Sequence, residues 1–353
     1  MTKRVTTLLA SAAGFVLFAA GAAWADEPPA AAPAAAAPAA AAPAAPASWS
    51  STIKVSGHVD AGIMFNGDDP SNGINFGHAF TDKSNSPVLN QVALTIQRDF
   101  DPKATTIDFG FKLQGMYGSD SRITHFIGEL DSSPTTRNQF DVVEANVQAH
   151  LPFLTKGGID VKAGQFSTPL GQEVIDPTGN FFYSHSYLFQ FGLPFKHTGI
   201  LTTTHVNPTL DVYAGYTTGV NASIGKAGGY DANYFHFIGG FGLNLNKLTI
   251  LALTHFGPEG LPSSSFPFNT HVARHYRFLN DVLVTYHIND KLTSVTEFNY
   301  IKDDLYAVSG GGVVQYFTYA LNAQTSAAIR AEVWRDAEAV SYTHLTLPTN
   351  REV

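Results

Sequence analysis

The sequence predicts an all-β protein, an antiparallel up-and-down transmembrane β-barrel, and three observations predict it. Apolar and polar residues alternate with a period of two along about thirteen segments. The connections between those segments take turns being short and long. Only 14% of the 353 residues are charged while 44% are hydrophobic. A water-facing surface normally carries about a quarter charged residues, so part of this surface is expected to meet a second solvent. The chain has no Cys, which excludes a disulfide framework, a thiolate zinc site and a cysteine nucleophile. A formal net charge of -8 argues against a nucleic-acid partner, which needs a positive field.

Lys3 and Arg4 precede an apolar run over positions 5–21, and Ala23-Trp24-Ala25 supplies a cleavage pattern before Asp26. Residues 1–25 are therefore expected to be a secretory signal peptide, too short and wrongly flanked for a stable span. No run of about 18 apolar residues follows, so no transmembrane helix is expected. Positions 26–49 are rich in Ala and Pro, with prolines at 28, 29, 33, 38, 43 and 46. Those prolines forbid a continuous helix and predict a stiff, extended periplasmic linker.

Residues 50–336 are expected to form the barrel. In positions 52–65, Val55, Val59, Ala61 and Ile63 oppose Lys54, Ser56, His58 and Asp60. Val92, Leu94 and Ile96 alternate with Ala93, Thr95 and Gln97, and Ile107, Phe109, Phe111 and Leu113 with Asp108, Lys112 and Gln114. Val143, Ala145, Val147 and Ala149 face away from Glu144, Asn146, Gln148 and His150, and Ile159 and Val161 from Asp160 and Lys162. Further strands are expected at 197–206, 210–217, 233–244, 248–256, 280–288, 292–301, 313–321 and 326–336. Near 197 and 248 either face could be the apolar one.

Short links at 101–104, 152–158, 207–209, 289–291 and 322–325 alternate with long ones at 66–87, 119–139, 167–196 and 257–277. Short turns at one end and long loops at the other belong to a membrane barrel. A soluble sandwich shares the polar alternation but would carry a more charged surface. In the barrel the apolar face meets lipid and the polar face an enclosed water column, and closure leaves no unsatisfied edge in hydrocarbon.

The third long loop, 167–196, holds Phe181, Phe182, Tyr183, Tyr187, Phe189 and Phe191 with few charges. Such a segment is poorly solvated unless it packs against something. Folding inward would narrow the lumen; an extracellular cap or plug is the alternative.

Positions 164–200 resemble the signature of the OmpL-like β-barrel porin family. The matching elements are Gly164 with Phe166, Gly171 with Glu173, Asn180 with Ser184 and Ser186, and Pro194 through Gly199. The stretch Arg330-Ala331-Glu332-Val333-Trp334-Arg335-Asp336 looks like a later strand of that family. His185 stands where the family usually places Arg, which replaces a fixed charge by a titratable one. Beyond Asp336 no Gly-containing turn follows, and the chain ends on Val353 rather than an aromatic. Residues 337–353 read as an atypical tail, with 341–353 resembling sequencing-adapter read-through. Bacterial single-chain barrels have even strand numbers, so the expectation is a C-terminally truncated reading frame of a barrel with about 14–16 strands or more.

The resemblance implies a Gram-negative outer-membrane porin that passes small hydrophilic solutes or ions. Its expected constriction residues are Glu173, Asp176, Asn180, Tyr183, His185 and Lys196. Its expected lumen wall includes Lys54, Asp60, Lys112, Glu144, Lys162, Glu297, Arg330 and Glu332. Partners would be outer-membrane lipid and the solutes, with a homo-oligomer compatible with the resemblance. No cofactor, metal or catalytic residue is expected. The 13 histidines are scattered without an HExxH pattern. Ser184-His185-Ser186 hints at a lipid-modifying enzyme, but neighbours on an extended chain point apart. A non-conducting structural or adhesive surface barrel is the other rival.

Overall fold

The computed structural model describes residues 7–12, 16–19, 49–126, 129–223, 236–258, 276–304 and 308–336. The linker up to position 48 and the tail from 337 lie outside the described residues, as does most of the expected fourth long loop at 257–277.

Thirteen strands run β3 (Lys54–Ile63), β4 (Pro87–Arg98), β5 (Asp108–Gly118), β6 (Gln139–Leu151), β7 (Ile159–Ser167), β8 (Lys196–Asn207), β9 (Leu210–Thr217), β10 (His236–Leu245), β11 (Leu248–Pro258), β12 (Tyr276–His287), β13 (Leu292–Asp303), β14 (Val308–Ala320) and β15 (Thr325–Asp336). Each pairs antiparallel with the next, so the sheet follows chain order without a crossover. Within the segment expected to be a leader, β1 (Thr7–Ala12) and β2 (Val16–Ala19) pair with the outer edge of β15. An unpaired strand edge takes up any extended chain that reaches it. Among the described residues β3 and β15 do not pair with each other.

Burial inverts the order of a soluble protein. Along β15, Ile329 and Val333 are exposed while the alternating Arg330, Glu332 and Trp334 are buried. Val55, Val59, Leu94, Phe109 and Val147 are likewise among the exposed apolar side chains. A continuous apolar outer face with polar groups inside is stable only where lipid is the outer solvent.

Three departures from the sequence expectation have local causes. Val143, expected outward, is buried, because a bulge between Gln114 and Gly115 pairs them with Glu144 and Val142 and leaves Val143 as the extra residue. Val142 takes the outward place instead. The last outer connection is short, since only positions 304–307 separate β13 from β14, so the length alternation does not persist to the end. The inner face is also not uniformly polar. Leu201, Leu253, Leu279 and Val295 point inward and join one buried apolar cluster. This resolves the two ambiguous segments: Ile200 on β8 faces out and Leu201 in, while β11 turns Leu253 and His255 inward.

Candidate functional site

The third long loop lies inside the curled sheet, and its aromatic burden explains why. Leu170, Ile175, Phe182, Leu188, Phe189 and Leu193 belong to the same buried cluster as the inward apolar wall. Removing that apolar area from water is worth about 25 cal/mol per Å², which an exposed loop would forgo. Gly171 has φ +83°, and a Cβ there would strike Leu193 Cδ1 at 2.3 Å and Glu297 Oε1 at 3.0 Å. Only glycine fits a left-handed turn pressed this close to the wall.

The loop is tied to both ends of the strand order. On one side Tyr183 Oη donates to Asn90 Oδ1 at 2.8 Å, and Gln91 Nε2 donates to the Ile175 carbonyl at 2.8 Å. In the first long loop, Ala79 N donates to Gln190 Oε1 at 2.6 Å. On the other side Gly171 N donates to Asp281 Oδ1 and Gln172 N to Glu297 Oε2, both at 3.0 Å. Asn299 Nδ2 donates to the Gly192 carbonyl at 3.2 Å, and Tyr187 N to Glu332 Oε2 at 2.6 Å. The sheet therefore curves around the loop, with β4 and β12–β15 both in contact with it.

Glu173 is the centre of these ties. Its carboxylate accepts from Arg330 Nη1 at 3.0 Å, Tyr316 Oη at 2.7 Å, the Ser186 amide at 3.0 Å and His185 Nδ1 at 2.9 Å. Arg330 also donates to the Ser184 carbonyl at 2.6 Å, Ser184 Oγ at 3.0 Å and the His185 carbonyl at 3.3 Å. The His185 ring stacks on Phe189 at 4.4 Å and leans on Phe80 at 4.5 Å. Burial opposes ionisation of Glu173, but His185, Arg330 and Tyr316 outweigh it and hold the carboxyl below the usual glutamate range.

A carboxylate with a depressed folded value stabilises the fold above the unfolded value and loses that contribution as pH falls through the folded one. The loop is therefore expected to stay seated at neutral pH and to loosen below the ordinary glutamate value of 4.5. Acrylamide quenching of Trp334, in a variant lacking Trp24 and Trp49, reads this: quenching should rise only in the acid range. A flat profile down to the acid limit contradicts it.

The other expected constriction residues divide. Asn180 clamps the loop internally, with Nδ2 on the Val174 carbonyl at 2.7 Å and Oδ1 accepting from the Val174 amide at 2.9 Å. Asp176 caps the turn by accepting from Thr178 N at 3.0 Å and lies 3.6 Å from His58 Nδ1. Burial and the charge of Asp60 push the Tyr183 hydroxyl up to about 12, so it remains a donor. Lys196 corrects its expectation: it is fully buried in an ion pair with Asp141 and lies 4.4 Å above the Phe126 ring. Glu173 and His185 are likewise sealed among partners, so these three do not present open charge to a water path. Asp176 keeps 37% of its side chain exposed.

On the wall, Glu144, Glu297, Arg330 and Glu332 are inward and buried, and Lys112 pairs with Glu144 at 3.7 Å. Lys162 sits 5.8 Å from the Phe166 ring centre, and Asp60 is half-buried. Lys54, at the start of β3 and on the face opposite Val55, is largely exposed and pairs with Asp99 at 2.9 Å. Sequence reasoning missed Asn90, Gln91, Asp141, Asp281, Asn299 and Tyr316. Continuing the strand parity through β4, β12 and β13 would have placed Gln91, Asp281 and Asn299 relative to their neighbours; the loop contacts themselves carry no local signal.

A family model described as "Putative beta-barrel porin-2, OmpL-like" matches residues 52–352, including positions 337–352 that the sequence alone marks as atypical. Among curated proteins nothing matches. Solved structures to which the chain is similar include two outer-membrane channels. The anion-selective porin from Comamonas acidovorans has 8% identity and a TM-score of 0.37, over 80% of this chain and 99% of that one. The outer membrane channel DcaP of Acinetobacter baumannii has 8% identity and a TM-score of 0.38, over 80% of this chain and 96% of that one.

Proposed function

The chain belongs to the OmpL-like beta-barrel porin-2 family and is a β-barrel porin of the bacterial outer membrane, and from that premise we propose that small hydrophilic solutes cross it by passive diffusion past an inward-folded third loop. The observation that carries this reading is the attachment of one loop to β4 on one side and to β12–β15 on the other. A segment held at both sides of a lumen narrows the path left for water. Asp176, Asp60 and His58 keep partial exposure beside the loop. Fixed carboxylates beside a pore favour cations, so a mild cation preference belongs to the proposal. Export by the leader over 1–25 and tethering by the linker over 26–49 complete it.

Catalysis is not part of the reading. Ser184 Oγ accepts from Arg330, and the His185 ring is committed to Glu173, so neither serine is activated by that imidazole. A plugged, non-conducting barrel is the second reading, and how closely Leu188, Phe189 and Leu193 pack against the wall favours it.

Liposome swelling separates the two. Vesicles containing the protein are expected to swell at rates that fall steeply with solute size, fastest for the smallest sugars and amino acids. Swelling no faster than that of empty vesicles, with heat-modifiable folded protein present, would assign the plugged reading.

A further inference from the structure

Asp281 on β12 and Asn299 on β13 are direct cross-strand partners, and Glu297 lies two residues from Asn299 on the same inward face. All three side chains are more than nine-tenths buried. One oxygen of each carboxylate is occupied by a loop amide, Asp281 Oδ1 by Gly171 N and Glu297 Oε2 by Gln172 N. The remaining oxygens, Asp281 Oδ2 and Glu297 Oε1, have no donor, and neither does Asn299 Oδ1. An amide flip does not cure the last, because Asn299 Nδ2 is fixed on the Gly192 carbonyl.

Charge accounting gives the same answer. The buried cation Arg330 is committed to Glu173 and to the carbonyls of Ser184 and His185. Among the described residues no ion pair reaches Asp281 or Glu297. Two adjoining buried carboxylates without a counter-charge are strongly unfavourable. A proton shared between the carboxyls would remove one charge and leave Asn299 Oδ1 orphaned. A cation neutralises the pair and satisfies all three oxygens.

We propose that Asp281, Glu297 and Asn299 form a cation site of calcium-like chemistry that fastens the root of the third loop to the β12–β13 wall. Carboxylate and amide oxygens are hard donors, and the flexible coordination of Ca²⁺ suits side chains held by a sheet and a turn. Mg²⁺ demands near-ideal octahedral geometry and usually keeps several waters, for which side chains buried this deeply leave little access. The site binds independently of whether the barrel conducts.

The test uses the full chain in detergent after dialysis against a chelator, with terbium chloride as the probe. Trp334 lies beside Gly192, next to the amide oxygen of Asn299, and is placed to sensitise bound terbium. Saturable sensitised emission displaced by calcium chloride is expected. Glu297→Gln and Asp281→Asn should each weaken it by about tenfold or more, while Asp290→Asn, at an exposed turn, leaves it unchanged. No sensitised emission, or emission indifferent to both carboxylate variants, overturns the proposal and assigns the pair to a shared proton. Should both variants fail to fold, thermal unfolding of the unaltered chain decides: a midpoint raised several degrees by calcium chloride supports the site, and an unmoved midpoint overturns it.

Discussion

Arg330→Met is expected to destabilise the seated loop by about 3 kcal/mol or more, because it leaves the buried Glu173 carboxylate without its guanidinium partner. The same change strips donors from the Ser184 carbonyl, the Ser184 hydroxyl and the His185 carbonyl. An unsatisfied buried acceptor costs about 1–3 kcal/mol each, so His185 and Tyr316 cannot make up the loss alone. Met fills much of the same volume, which confines the effect to charge and hydrogen bonding. Urea titration in lipid vesicles, followed by Trp334 quenching, measures it. Adding Glu173→Gln to the same chain should recover a large part of the loss, since the charge left behind is what costs most. A single variant as stable as the parent would mean that Glu173 is not held where the hydrogen bonds place it.

Deleting positions 172–192 should raise single-channel conductance severalfold and relax solute exclusion. Gly171 and Leu193 approach each other closely at the root of the loop, so a short turn can rejoin the ends without disturbing β7 or β8. The deletion removes Glu173, Tyr183, His185 and the aromatic mass, and exposes the inward faces of β12–β15 to water. Heat-modifiable migration in gels confirms that the strands still assemble. Unchanged conductance through an assembled barrel would favour a capping role for the loop and remove the constriction from the account.

The strands were legible because their outward side chains are mostly apolar and their inward ones mostly polar. β9 coincides with its expected span of 210–217, and β15 begins one residue before the expected 326 and ends at Asp336. Legibility fails where both neighbours are apolar. Val142 and Val143 are indistinguishable by period, so the bulge that buries one of them has no mark in the sequence. Tyr316 lies beside Phe317, and either parity turns an aromatic outward; the structure buries Tyr316 on Glu173 and exposes Phe317.

The inward course of the third loop followed from its unsolvated aromatics, but its anchors did not. Lys196 looked like an open pore charge because its partner Asp141 is distant in sequence and close only once β6 and the loop root are assembled. His185 looked like a substitute for a fixed charge at that point. The geometry gives it a different place, between two phenyl rings and the carboxylate that Arg330 also holds.

The account rests on apolar side chains facing acyl chains and polar ones facing water, and adjacent residues on one strand test it most directly. The chain has no native Cys, so Val147→Cys and Gln148→Cys can each carry a single spin label at neighbouring positions of β6. Val147 is 63% exposed on the outer face, and Gln148 turns inward, bonded to Asn146. In reconstituted vesicles the label at 147 should collide mainly with dissolved oxygen, which concentrates in the bilayer, and the label at 148 mainly with a water-soluble nickel chelate. Equal access of the nickel chelate to both labels would contradict the barrel.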